Sequence, residues 1–481
     1  MNIRKVAPLI GTLLMIIGGA MLLPLAWALY YKEAIWYIYP VSSAITLFCG
    51  ALLFVSSPRD IRLNAKEAIF LVSCGWLLAS LFGVLPYLLS GSFVSFADAF
   101  YESVSGFTTT GTSVFADIEH LRPSLIFWRS LTNWLGGMGI IVLFVALLSS
   151  VGVGGFHLLR AEVPGHNVTK LTPRISRTAM ILWLTYLSLT VGLALILLLL
   201  GFNLFDALCH AFSTIATSGS YSENVGAGYA NSDLIHWVLA LFMFMSGTNF
   251  ALYFIALKQK SIRAFWKNSE FRFYSMITAA AILLSTFIVW STSGQSIAKV
   301  FSETSFMIVS FITTTGYSTV EYTNWPIAAQ AILLLLMFVG GSTGSTGGSL
   351  KVARIQILIS QVRLELQRAI HPNAIKAIRI DNSNISSENL ISVQQFFFTF
   401  LFFIVGGTLA MLAQGMDLLG AFSIAIASLS NTGAVFGGFA GSGSFAEISA
   451  SGKYILSFLM IIGRLEIFTF LVLFAPTFWK K

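Results

Sequence analysis

The stretch Phe107-Thr108-Thr109-Thr110-Gly111-Thr112-Ser113 decides the reading of this chain, because its pattern returns three more times. The second copy reads Ile215-Ala216-Thr217-Ser218-Gly219-Ser220-Tyr221, and the third Ile312-Thr313-Thr314-Thr315-Gly316-Tyr317-Ser318. The fourth is Leu429-Ser430-Asn431-Thr432-Gly433-Ala434-Val435. Their glycines recur roughly every 100 residues, the signature of an internal repeat. A lone Thr-Thr-Gly says little. Four at matching positions define an architecture.

Working outward, each copy is preceded by a short apolar stretch, near 97–108, 205–216, 299–312 and 419–430. At about 12 residues these are too short to cross a bilayer and read as re-entrant half-helices. Longer apolar runs flank them, near 66–90, 123–149, 178–201, 232–257, 272–293, 325–350, 393–414 and 452–476. Two further runs lead the chain, from Val6 to Tyr30 and from Ala34 to Val55. The first is longer than the ~7–15-residue core of a signal peptide, so it reads as a span and not a cleaved leader. Ten spans are expected.

Composition agrees. Of 481 residues, 56% are hydrophobic and only 10% charged, with mean hydropathy +0.82. A soluble body carries roughly 25% charged residues, so lipid must be the main solvent here. Most of the 28 Lys and Arg cluster on one side: Arg4 and Lys5; Arg59, Arg62 and Lys66; Arg160, Lys170, Arg174 and Arg177; Lys258 to Arg272; Lys351 to Arg379; and Lys480 with Lys481. An even number of spans separates the clusters, which places them all, and both termini, in the cytoplasm. The net charge of +8 is thus a topology signal and not a nucleic-acid footprint. Acidic residues gather opposite, among them Glu33, Asp98, Glu102, Asp206, Glu303 and Asp417. They read either as a vestibule that concentrates cations or as ordinary loop chemistry. Asp98, Asp206 and Glu303 share one position ahead of the glycines, with Gly420 in the fourth copy, and suit half-helix capping.

Four irregular segments at membrane depth survive only if they are buried in protein or line a wet cavity, so they should surround one axis. Half-helices entering from outside point carboxyl ends of about −0.5 charge at the membrane centre. There the loop carbonyls and Thr or Ser hydroxyls can replace a cation's hydration shell. Oxygen ligands without carboxylates suit a monovalent ion better than Ca²⁺. The candidate filter residues are Thr109, Thr110, Gly111, Thr217, Ser218, Gly219, Thr314, Thr315, Gly316, Asn431, Thr432 and Gly433.

At these loops the sequence resembles the Trk/Ktr/HKT superfamily of potassium transporters, and its length and two extra leading spans look like the Trk-type membrane subunit of bacteria. The likeness extends to Leu159–Gly165, Leu171–Arg174, Gly340–Gly348 and Gly463-Arg464-Leu465-Glu466. It implies a single-chain pore in the bacterial inner membrane, paired as a homodimer and docked on a cytosolic regulatory ring that binds adenine nucleotides or NAD. It also implies that four filter glycines go with potassium, whereas serine in the first loop goes with sodium. Potassium is then substrate, with no bound cofactor in the chain. Asn431 and Ala216 depart from the Thr-Thr-Gly form and make the fourfold pattern approximate.

Below the filter, Gly340, Gly341, Gly344, Gly347 and Gly348 break the run that begins near Ile327, since so many glycines cannot hold a helix cheaply. The resemblance implies an intramembrane gating loop; the plain alternative is a close-packed kink. The run lacks the GK[ST] ending of a phosphate loop. Arg464 lies inside the last span, where a central arginine costs at least ~2.5 kcal/mol. The resemblance makes it a pore-facing barrier; an ion pair elsewhere is the alternative, though not with Glu466, two residues on. Arg129 is expected to snorkel or pair near its span's outer end. Val352, Ile355, Ile359, Val362 and Leu366 keep helical spacing after the break, as an inward extension where the ring would dock.

Cys49, Cys74 and Cys209 have no metal-binding spacing and read as free thiols. The six histidines form no HExxH and no nucleophile cluster, so no enzyme is expected. A cation-coupled symporter with alternating access is the rival reading, but such folds favour inverted repeats and embedded carboxylates. The expected architecture is an all-α polytopic membrane protein. Residues 1–57 form two leading transmembrane helices, and 58–150, 151–258, 259–350 and 393–481 form four helix–pore-helix–filter–helix repeats around a central pore. Residues 351–392 form a cytoplasmic connection.

Overall fold

A computed structural model describes residues 3–55, 63–93, 95–115, 121–139, 175–220, 233–371, 378–381, 383–439 and 445–480. The stretches Leu159–Gly165 and Leu171–Arg174 and the basic residues Arg59, Arg62, Arg160 and Lys170 lie outside them.

Two helical hairpin arms lead the chain. The first is Ile3–Ala20 continued by Leu23–Tyr30, and the second Ile38–Val55. They cross closely because both are glycine at the contact: a Cβ on Gly50 would stand 2.8 Å from Gly11 O. Small residues permit this where lipid supplies no hydrophobic drive between helices. The pair rests on the first repeat: Tyr39 Oη donates to Ser124 Oγ at 2.7 Å, and Ser124 N donates to a Glu33 carboxylate oxygen at 2.9 Å.

Four repeats follow. In each, one long helix leads into a half-helix, and a loop returns to a second helix. The long helices are Ala65–Gly83 with Leu85–Leu89, Ile175–Leu199, Ser269–Ser293 and Ser387–Leu412. The half-helices are Phe96–Phe107, Leu204–Ala216, Ile297–Ile312 and Leu418–Ser430. The protein is therefore an all-α membrane protein with two leading helices and four channel-like repeats. Among the described residues the only strands are the two-residue pair Arg379–Ile380 and Ser383–Asn384, in the connection before the fourth repeat.

The break expected in the second span of the third repeat is present, and the second helices of the second and fourth repeats bend as well. Among the described residues six helices are long and apolar enough to cross a membrane, or up to eight if each bent pair is one span, and the second helix of the later repeats is broken. Asp233–Ser246 and Phe250–Gln259 meet at 92°, and Ala450–Arg464 and Phe468–Phe474 at 109°. In the third repeat Ile327–Leu336 gives way to a long loop before Val352–Ile370. The physical reason is proximity to the half-helix ends. A Cβ on Gly136 would overlap Phe107 O, one on Gly463 would overlap Leu429 O, and one on Gly247 would sit 2.8 Å from Thr313 Cγ2. No side chain fits at these levels, so glycine occupies them, and just past Gly247 and Gly463 the helix turns aside.

Candidate functional site

Three of the four half-helices carry a side-chain cap at the start; the third, after Ser296, does not. Ser95 Oγ accepts from Ala97 N, Asn203 Oδ1 from Asp206 N, and Asp417 Oδ2 from Gly420 N at 2.9 Å. Asp98 and Asp206 therefore sit in the first turn and complement the dipole without capping. In the fourth copy the carboxylate is three residues earlier, at Asp417. Asp98 also meets Lys453 Nζ at 2.6 Å, a link between the first and fourth repeats. Of the readings open for these acids, a structural one holds for Asp98, Asp206 and Asp417.

All four half-helices end in the same hydrogen-bonded cap. Thr110, Ser218, Thr315 and Thr432 donate their backbone N–H to the carbonyls of Ser105, Ser213, Ser310 and Ala427 at 2.9, 3.1, 2.8 and 2.9 Å. The preceding residues, Thr109, Thr217, Thr314 and Asn431, donate to carbonyls three residues back. This is a Schellman arrangement, whose pivotal residue must be left-handed. The pivots have φ of 58, 54, 58 and 54°. For β-branched threonine that costs about 1–3 kcal/mol, whereas asparagine tolerates it well. Asn431 is the relaxed version of a position strained elsewhere.

Two residues later each glycine is left-handed again, with φ of 80, 64, 79 and 76° at Gly111, Gly219, Gly316 and Gly433. Alternating the sign of φ turns successive carbonyls toward one side, which glycine permits and other residues resist. The glycines also report how the loops meet. A Cβ on Gly111 would overlap Ser218 O, one on Gly219 Thr315 O, one on Gly316 Thr432 O, and one on Gly433 Thr110 O. Each loop abuts the next, and the fourth closes on the first. The four segments make one ring.

Side chains hold the ring from behind. Thr108 and Thr110, Thr313 and Thr315, and Ser430 and Thr432 pair through their hydroxyls at 2.8, 2.7 and 2.7 Å. The second copy has Ala216 where the others carry a hydroxyl, and Ser218 turns instead to Ser213 Oγ at 3.0 Å. Asn431 Nδ2 crosses to Thr110 Oγ1 at 3.0 Å. The departures noted in the sequence are accommodated within the same ring.

Directly inside lies the glycine-rich loop. Ser342 N donates to Gly247 O at 2.8 Å and Phe250 N to Gly344 O at 3.1 Å, docking the loop on the break of the second repeat. Gly348 N donates to Thr314 Oγ1 at 2.7 Å, and Thr346 Oγ1 to Ile215 O at 3.2 Å. Glu270, at the start of the third repeat, accepts from Thr343 N at 2.5 Å. The five predicted glycines Gly340, Gly341, Gly344, Gly347 and Gly348 therefore all lie on a loop pressed against the half-helix ends. Gly340 and Gly348 approach each other, and a Cβ on Gly348 would overlap Ser430 O.

Arg464 reaches into the same layer. Its guanidinium donates to Thr346 O at 2.9 Å, to Gly137 O at 2.7 Å and to Gly136 O. It thus joins the broken helix of the fourth repeat to the loop of the third and the end of helix Pro123–Gly137 in the first. It lines a cavity of about 70 Å³, shared with Gly137, Gly347, Gly348 and Gly463, enough for a few waters. Glu466 pairs with Arg354 at 2.6 Å, not with Arg464. Lys351 Nζ donates to Gly347 O at the loop's end.

Of the two readings for Arg129, pairing holds: it is 4% exposed and meets the buried Glu102, a partner the sequence did not name, at 2.7 Å beside the first glycine loop. Among the described residues no group of three or more His, Cys, Asp or Glu could hold a metal ion.

A closed ring of backbone carbonyls at four half-helix ends, in a chain of membrane-spanning helices, defines a pore-loop cation-transport protein. Comparison with known proteins narrows the class. The family described as "TrkH: Cation transport protein" matches residues 41–481. The chain is 37% identical over 485 residues to the Trk system potassium uptake protein TrkH of Salmonella typhimurium, covering 100% of both. It is 33% identical to the Trk system potassium uptake protein TrkG of Escherichia coli, covering 100% of this chain and 99% of that one. The crystal structure of the potassium transporter TrkH from Vibrio parahaemolyticus superposes with a TM-score of 0.89 at 34% identity, each chain covered fully. The chain belongs to the TrkH family.

Proposed function

We propose that this protein takes up potassium across a bacterial inner membrane through the ring formed by Thr109 to Gly111, Thr217 to Gly219, Thr314 to Gly316 and Asn431 to Gly433. The observation that carries this reading is the cyclic abutment of the four glycines on their neighbours' carbonyls. Such a ring offers stacked oxygen ligands to a dehydrated monovalent cation. Four half-helix carboxyl ends supply negative potential beneath it. Potassium is the substrate named for the relatives, and all four ring glycines are kept here.

The loop Gly340–Gly348 is the gate in this reading. It sits against the ring's inner side, held by bonds to Gly247 O, Ile215 O, Thr314 Oγ1 and Glu270 and by Lys351 and Arg464, so it withdraws only when these contacts are released together. Arg464 places a fixed positive charge in the same layer and raises the barrier for a cation that leaves the ring. Homodimer formation, a cytosolic nucleotide-binding regulatory ring and cytoplasmic termini belong to the same reading. Their support is the family, the basic side of the sequence, and the junction of Lys66 Nζ with Thr477 O and Lys480 O at that side.

The test is ⁸⁶Rb⁺ uptake into proteoliposomes with potassium or sodium as competitor. Competition by potassium but not sodium supports the filter. Equal competition by sodium overturns the potassium assignment.

A further inference from the structure

The ring is fourfold, but its support is not. Nine residues before the glycine, the four half-helices carry Glu102, His210, Met307 and Ile424, so a carboxylate stands at this level only in the first. Glu102 Oε1 lies 2.7 Å from Arg129 Nε, with the two side chains 1% and 4% exposed. The same carboxylate accepts from Ser113 Oγ at 3.1 Å and from Val114 N at 2.9 Å. Arg129 Nη2 donates to Gly111 O at 3.0 Å. One buried ion pair therefore grips the first loop on both sides of its turn. It spans from the half-helix Phe96–Phe107 to the second helix Pro123–Gly137.

The bond to Gly111 O has a chemical consequence. A carbonyl that donates electron density to a guanidinium offers a weaker field to any ion on its other side. Among the described residues, the carbonyls of Gly219, Gly316 and Gly433 accept no side-chain hydrogen bond. Weaker-field oxygens favour the larger, more easily dehydrated alkali ion. Glu102 meanwhile balances the arginine, so that no net positive charge stands behind the filter.

Resting on the filter reading above, we infer that Arg129 and Glu102 are positioning residues that set ion preference through the first loop. Arg129 lowers the field of the Gly111 carbonyl and tunes the ring toward potassium over sodium. Glu102 keeps that arginine in place and cancels its repulsion of cations. The two residues therefore carry different signatures. Lysine in place of Arg129 keeps the charge but is a point donor, unable to serve both Glu102 and Gly111 O. Glutamine in place of Glu102 keeps shape and acceptor oxygen but uncovers the charge.

Equilibrium ⁸⁶Rb⁺ binding to the purified full-length protein reads both without requiring the gate to open. Displacement by potassium and by sodium is compared in the wild type, Arg129→Lys, Glu102→Gln and Gly111→Ser, alongside each unfolding temperature. In Arg129→Lys the sodium concentration for half displacement should fall about tenfold relative to potassium, the scale of one charge-assisted hydrogen bond. In Glu102→Gln potassium and sodium should both bind more weakly, with their ratio kept. A wild-type ratio in folded Arg129→Lys overturns the inference. If that variant does not fold, unchanged affinities for both ions in Glu102→Gln overturn it. Should Gly111→Ser also bind like the wild type, the filter reading itself fails. Should only Gly111→Ser lose preference, the filter stands and the role of the ion pair falls.

Discussion

The outer layer of this molecule and the layer directly inside it are built from the same four repeats, yet they differ in kind. At the ring, all four loops share one cap, one alternation of φ and one contact with their neighbour. Just inside, the second helices of the later repeats bend by 92° and 109°, or open into the loop Gly340–Gly348. The same layer holds Arg464 from the fourth repeat alone. The contrast follows from what each layer must satisfy. In the proposed reading, a dehydrated ion on an axis wants equal oxygens on every side, whereas a gating loop needs only one hinge and one seat.

The ring's symmetry makes its weakest quarter decisive, so the largest effects are expected there. Gly433→Ala and Gly219→Ala should each abolish selective ion binding. A Cβ overlaps backbone at both sites and the positive φ adds about 1 kcal/mol or more. Rubidium binding that survives in one variant and not the other would show that the loops are not equivalent. Deleting Gly344 to Gly348 should raise tracer flux several-fold while leaving the potassium preference intact, because the loop meets the half-helix ends from one side, at Ile215, Thr313, Thr314, Ser430 and Asn431. A loss of preference would mean that plug and filter are one unit. Arg464→Ala should raise conductance by a smaller factor, since its three carbonyl partners hold the charge partly neutralised. Unchanged current would place the guanidinium outside the ion path. The smallest effect belongs to Asn431→Thr. It restores the Thr form but moves a β-branched side chain into the left-handed pivot, so the unfolding free energy should drop by about 1 kcal/mol. An unfolding midpoint equal to wild type would show that the pivot carries no strain.

How much of this was legible beforehand depended on how local the signal was. The ring was readable because each loop writes its conformation in seven consecutive residues, and repetition multiplied a weak signal by four. The loop beneath the ring was readable because Gly340 to Gly348 crowds five glycines into one apolar run. The bends at Gly247 and Gly463 were not, since a single glycine inside a membrane helix is common and the cause lies elsewhere in the fold, at Thr313 and Leu429 O. Asn249 was the missed clue: it caps a new helix in mid-span by accepting from Ala251 N at 2.9 Å. Glu102 was grouped with the other acids of its side, as vestibule or loop chemistry, and not as one half of a buried ion pair. Its partner Arg129 stands on another helix, and no spacing rule links the two.

The account turns on four loops acting as one potassium-selective ring. Its most direct test is the reversal potential of the Gly344–Gly348 deletion variant in a planar bilayer, with potassium on one side and sodium on the other. The account predicts a reversal potential displaced toward potassium equilibrium, and one that collapses toward zero when Gly111→Ser is added. A reversal potential at zero, or on the sodium side, in the deletion variant alone would contradict it.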